Sequence, residues 1–173
     1  AGAGVDDRVE VVGRQPVGPS LAEHEDPAGR RLGEPAPQLG AVRREVVVVF
    51  VDLRGFTAFT EQAEPEEVFA VLRAYHREIG RLVGEHDGTI EHFAGDGVMI
   101  IFNDPVTLPD PALAAARMAA DVRTAVDALA QEWRRSGYKL GCGIGIALGY
   151  ATIGTIGFEG RYDYGALGPV TNL

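Results

Sequence analysis

The chain has 173 residues, enough for one domain and a short extension, with 46% hydrophobic and 24% charged residues, the balance of an ordinary globular protein. Net charge is -9 and no Lys/Arg cluster or stripe occurs, which argues against a nucleic-acid partner. No apolar run approaches the ~20 residues of a bilayer span, no signal-peptide pattern occurs, and the single cysteine, Cys142, excludes an internal disulfide or a cysteine-type zinc site.

Cys142 reads as a small buried thiol. The compartment is expected to be reducing and cytoplasmic. The chain starts at Ala1 rather than Met and reads as a piece of something longer.

Residues 1–43 hold Pro16, Pro19, Pro27, Pro35 and Pro37, with glycines and mixed charge. They are expected to form a linker or poorly ordered arm, with one short strand at Val9–Val12. The tail of an upstream domain fits them equally. Residues 44–173 are expected to form the folded domain. Glu45–Leu53 is a β-branched run, as in a strand buried on both faces. Phe56–Ala63 reads as a short helix. Pro65, Glu66 and Glu67 suit a helix start. Val68, Leu72, Tyr75, Ile79, Leu82 and Val83 then recur at helical spacing up to Asp87-Gly88.

Thr89–Ala94 and Val98–Phe102 flank Gly95-Asp96-Gly97 and read as a β-hairpin. A second long helix is expected from Asp110 to Arg135, with Met118, Val122, Val126, Leu129 and Trp133 as its stripe and Gly137 ending it. Leu140–Ile156 alternates glycine with Ile, Leu and Val, so another backbone or a ligand should come close to it. A turn at Phe158–Arg161 and a last strand at Tyr162–Leu167 follow, and Gly168–Leu173 runs towards a helix. The fold class is α+β: a mainly antiparallel sheet packed by helices, in a ferredoxin-like βααββαβ order.

Two aspartates are framed by core sequence. Asp52 ends the first strand, just before Arg54-Gly55-Phe56-Thr57. It reads as a cap for the turn. It also reads as a metal ligand, because backbone N–H groups at a helix start attract phosphate, and a cation must separate that phosphate from the carboxylate. Asp96 reads as an ordinary hairpin residue. If the hairpin packs beside the first strand, the two carboxylates can bridge two metals about 3.5–4 Å apart.

Phe50-Val51-Asp52-Leu53-Arg54-Gly55-Phe56-Thr57 closely resembles the first metal motif of class III nucleotidyl cyclases. His92-Phe93-Ala94-Gly95-Asp96-Gly97-Val98-Met99 resembles the second, and Tyr162 to Leu173 the third. The likeness covers residue 44 to the end. It implies that Asp52, Asp96 and the Leu53 carbonyl hold two divalent ions, Mg²⁺ or Mn²⁺. It implies that the backbone at Gly55, Phe56 and Thr57 cradles phosphates and that Asn172 orients the ribose. His92 and Gly165 occupy the base-binding positions. The family works as head-to-tail homodimers, with metals on one protomer and the asparagine on the other. The implied reaction is attack of the ribose 3′-hydroxyl of ATP, or of GTP, on the α-phosphorus, giving a 3′,5′-cyclic nucleotide and pyrophosphate.

The chain departs from the family in four places. His92 stands where adenylate-specific members usually have lysine and guanylate-specific members glutamate. A half-buried strand residue without a ligand role is its bland reading. Gly165 has no side chain with which to read a base. Pro169 replaces a commonly polar residue and removes a backbone donor. The family's transition-state arginine, four residues beyond the asparagine, falls past Leu173, so these residues alone are expected to be inactive or nearly so. An adenylate cyclase in intracellular signalling is the first reading. A catalytically weak or inactive cyclase-like module that dimerises and binds nucleotide is the alternative. His76 and His86 read as surface histidines.

Overall fold

A β-branched run packs best as a strand covered on both sides. In the computed structural model, which describes residues 40–158 and 161–172, that strand is β1, Val42–Arg54. Val46 to Val49 have no exposed surface. Val42 to Arg44 extend it beyond the expected start, because they pair with Ala151 to Ile153 of a neighbouring strand. Backbone pairing does not require burial there, and Val42 is exposed. The expected strand at Val9–Val12 lies outside the described residues.

The elements that follow are α1 (Phe56–Thr60), α2 (Pro65–Glu85), β2 (Thr89–Ala94), β3 (Gly97–Phe102), α3 (Pro111–Arg135), β4 (Gly141–Phe158) and β5 (Arg161–Leu167). A single 3₁₀ turn, Pro169–Thr171, stands where a helix was expected to begin. The fold is α+β, with one antiparallel five-stranded sheet in the order β2-β3-β1-β4-β5. Pro65 opens α2, and the Glu64 backbone N–H donates to the Glu67 carboxylate (3.1 Å) in a capping box. Asp110 caps α3 by accepting from the Leu113 N–H at 2.9 Å.

The helices cover one face of the sheet. Val47, Val49, Val51 and Leu53 pack there with Tyr75 and Ile79 of α2 and Met118 and Val122 of α3. Val71 is buried in α2, whereas Leu72, expected in the stripe, is half-buried. In α3 the alanines Ala115, Ala119 and Ala130 share the buried face, so α3 packs close.

The other face has its own core: Val46 and Val48 of β1 with Met99, Ile101, Ala151, Ile153, Ala166 and Val170. The long β4 and its partner β5 reach back across this face. Ala166 joins that core, and the Tyr164 hydroxyl donates to Asp104, just past β3. Asp104 is also held by Arg44 of β1 at 2.7 Å. Because β1 is apolar on both sides, its valines alone do not fix its register. Its end does. A one-residue slip would carry Asp52 into the helix-side core, and burying an unpaired carboxylate costs several kcal/mol.

Candidate active site

Asp52 points to the face away from α2 and α3, opposite Gly143 of β4, and is exposed. The β1–β3 ladder ends at Val51↔Val98. Continuing that register places Asp96 opposite Leu53. The Leu53 N–H donates to the Asp96 carboxylate (Oδ2, 3.0 Å). The hairpin tip is Gly95-Asp96, between the paired Ala94 and Gly97, with Gly95 at φ 64°. The expected packing of the hairpin beside the first strand is therefore present, with the carboxylates on neighbouring strand ends. Within a strand a residue's N–H and C=O leave by the same edge. The Leu53 carbonyl thus emerges beyond the last β3 pair, on Asp96's side.

Among the described residues no three His, Cys, Asp or Glu side chains form a metal cage. Two carboxylates and a carbonyl make an oxygen-only donor set. Mg²⁺ accepts such a set when phosphate oxygens and water complete its shell.

Gly55 precedes α1 at φ 83°, and a Cβ there would stand 2.6 Å from the Lys139 carbonyl oxygen. Only glycine fits this turn. The first-turn N–H groups of α1, at Phe56 and Thr57, have no partners within the helix. The Phe56 ring is half-buried against the core, 6.0 Å from the Phe59 ring, so Phe56 would meet a ligand through its backbone.

His92 lies opposite Met99 and is exposed. Gly165 of β5 is buried, and the nearest side chains to it are Ile156 and Glu91. Glu91 also contacts His92 Nδ1. His92 and Gly165 are thus brought together through a residue the sequence reading passed over.

Asn172 follows the 3₁₀ turn and is exposed. The turn is fixed by Val170, which packs over Gly149, the partner of Val46. Val46 and Asp52 are six residues apart, about 20 Å of strand. The turn that precedes Asn172 is thus anchored at the opposite part of β1 from Asp52.

Residues 41–173 match the family described as the adenylate and guanylate cyclase catalytic domain. The chain belongs to this cyclase family. It is 37% identical over 134 residues to adenylate cyclase 1 of Rhizobium meliloti, covering 77% of this chain and 20% of that protein. It is 34% identical over 138 residues to an adenylate cyclase of Anabaena cylindrica, covering 77% and 26%. The chain thus spans about a quarter or less of the length of these curated relatives. Among solved structures, the adenylyl cyclase CyaB from P. aeruginosa superposes with a TM-score of 0.74 at 36% identity, covering 78% of this chain and 70% of that one. The guanylyl cyclase Cya2 gives 0.73 at 36%, covering 78% and 68%.

In this cyclase domain three features near the aspartates escaped the sequence. A Cβ at Gly143 would stand 2.8 Å from Asp52 Cγ, so the glycine makes room for the carboxylate. The glycine alternation in β4 was the available signal. Tyr75 is fully buried and its hydroxyl has no hydrogen-bond partner among the described residues. Burial pushes its phenol well above the usual range, and the thiol of Cys142 and the carboxylates of Asp96 and Asp52 push the same way. His76 is not a surface residue. Its ring is half-buried, 4.6 Å from that of Phe93 and 5.3 Å from that of Tyr75, under the hairpin. The expected helical stripe includes Tyr75, so His76 takes the flank that the hairpin covers. His86 is paired too, with Nε2 at 2.8 Å from Asp121. Cys142 is buried as expected. Burial pushes its thiol up to about 11; Asp52 and Asp127 add to this, while Arg123 and Arg54 oppose it.

Proposed function

We propose that this cyclase domain converts ATP into 3′,5′-cyclic AMP and pyrophosphate, with GTP as the competing substrate, in cytoplasmic signalling. The observation that carries the reading is the Leu53 N–H bond to the Asp96 carboxylate, which sets both aspartates at adjacent strand ends. Residues 44–173 act as the catalytic domain and residues 1–43 as an arm.

Asp52, Asp96 and the Leu53 carbonyl would hold two divalent ions, Mg²⁺ or Mn²⁺. When bound, these acidify the ribose 3′-hydroxyl and balance the triphosphate charge. The N–H groups at Gly55, Phe56 and Thr57 bind phosphate oxygens at the start of α1. His92 and Gly165 border the base. Asn172 orients the ribose, and since the turn before it is anchored far along the sheet from Asp52, it does so for the site of a second copy in a head-to-tail homodimer. The alternative, a nucleotide-binding module without turnover, is favoured by the unusual base-side pair of His92 and Gly165.

The test measures cyclic AMP and cyclic GMP made by the full-length protein with Mn²⁺. Wild type makes cyclic AMP, and Asp52→Ala loses it. An Asp52→Ala protein of wild-type activity would remove Asp52 from the site. ATP binding with neither product formed would favour the module.

A further inference from the structure

We propose that Glu91 is the specificity-determining residue of the base pocket, and that its carboxylate is what admits guanine. The inference rests on the cyclase reading of the site. β2 and β3 pair in register through Ile90↔Ile100 and resume at His92↔Met99, which leaves Glu91 as an extra residue. In a regular strand Glu91 and His92 would point to opposite faces. A bulge re-aims a side chain, and bulges recur beside active sites. Here it turns Glu91 towards the same face as His92, where Glu91 Oε2 contacts His92 Nδ1.

The other oxygen, Glu91 Oε1, comes within 3.4 Å of where a Gly165 Cβ would stand. The Glu91 side chain is 13% exposed, against 53% for His92. Gly165 offers a base no side chain; Ile156 fills the space nearest to it, and the polar group beside it is a carboxylate from the other edge of the sheet. The group that can read a base at this point is Glu91. His92, engaged at Nδ1, presents Nε2.

An ionised carboxylate only accepts hydrogen bonds. The reading edge of guanine carries two adjacent N–H donors beside a carbonyl. That of adenine carries one amino donor beside a ring nitrogen with a lone pair. One carboxylate can take both guanine donors. Against adenine it takes one donor and faces a lone pair. Charge-assisted bonds of this kind are each strong enough to change a preference by about 10- to 100-fold.

The experiment compares kcat/KM for ATP and GTP in full-length wild type, Glu91→Ala and Glu91→Gln, with Mn²⁺. Equilibrium binding of each nucleotide with Mn²⁺ is measured in parallel. Wild type is expected to accept GTP. Glu91→Ala should lose GTP relative to ATP by about 10- to 100-fold. Glu91→Gln keeps the shape, carries a donor as well as an acceptor, and should shift the ratio the same way by less. It decides the matter if Glu91→Ala does not fold. A ratio that stays fixed, or moves towards GTP, overturns the proposal, as does a wild type that refuses GTP. If no variant turns over either nucleotide, the cyclase reading fails. The binding ratio then decides Glu91 by itself.

Discussion

His76 shows how one side chain ties the helix layer to the site. Its ring lies between Tyr75 and Phe93, on the helix that runs under the Gly95-Asp96 tip. Burial pushes its imidazole below the usual histidine range, while the Gly95 backbone and the Asp96 carboxylate pull it up. The unfolded chain therefore takes up this proton at a higher pH than the folded one. Stability is full above about pH 6.5 and falls as pH drops through the depressed folded value. His76→Phe keeps an aromatic ring against Phe93 and removes the titration. Its melting temperature should fall less than that of wild type as pH is lowered from about 7.5 to 5.5. Parallel curves for the two proteins would contradict this. Asp52 and Asp96 were legible because each interrupts a long apolar run. His76 was not, because one histidine on a helix looks the same whether water or a hairpin covers it. Gly143 was half-legible: β4 announced a close approach without saying to what.

At the scale of elements, helix ends and strand runs carried most of the fold. Pro65 with Glu66 and Glu67 marked the start of α2, and the second long helix, expected from Asp110, begins one residue later with Asp110 as its cap. Asp110→Ala removes the acceptor for the Leu113 N–H and should cost about 1 kcal/mol of folding stability in denaturant titration. A change near zero would mean that water replaces the cap. The β2–β3 hairpin was legible from its Gly-Asp-Gly centre. The bulge at Glu91 was not, because nothing in Thr-Ile-Glu-His-Phe-Ala separates a bulged residue from a regular one. The bulge depends on how β2 meets β3, a property of two strands. The run towards a helix at Gly168–Leu173 holds a short 3₁₀ turn, Pro169–Thr171, with Val170 over Gly149.

At the scale of the molecule, strand order decides which parts of the site can meet. The hairpin returns β3 beside β1 and so sets Asp96 by Leu53. β5 swings across the face away from α2 and α3 and brings Gly165 to Glu91. Val170, two residues before Asn172, packs over Gly149, the partner of Val46, and Val46 is about 20 Å of strand from Asp52. Strand order was not readable from one sequence, since periodicity identifies strands but not their neighbours. The central claim is that two chains each contribute half of a working site. It is tested most directly by mixing full-length Asp52→Ala with full-length Asn172→Ala, with subunit exchange verified by recovery of a tagged copy. Each variant alone should be inactive. About half of the mixed dimers carry one of each, and each of these keeps one intact site of two, so about a quarter of wild-type activity should return. A mixture that exchanges subunits and stays as silent as its parents would contradict the account.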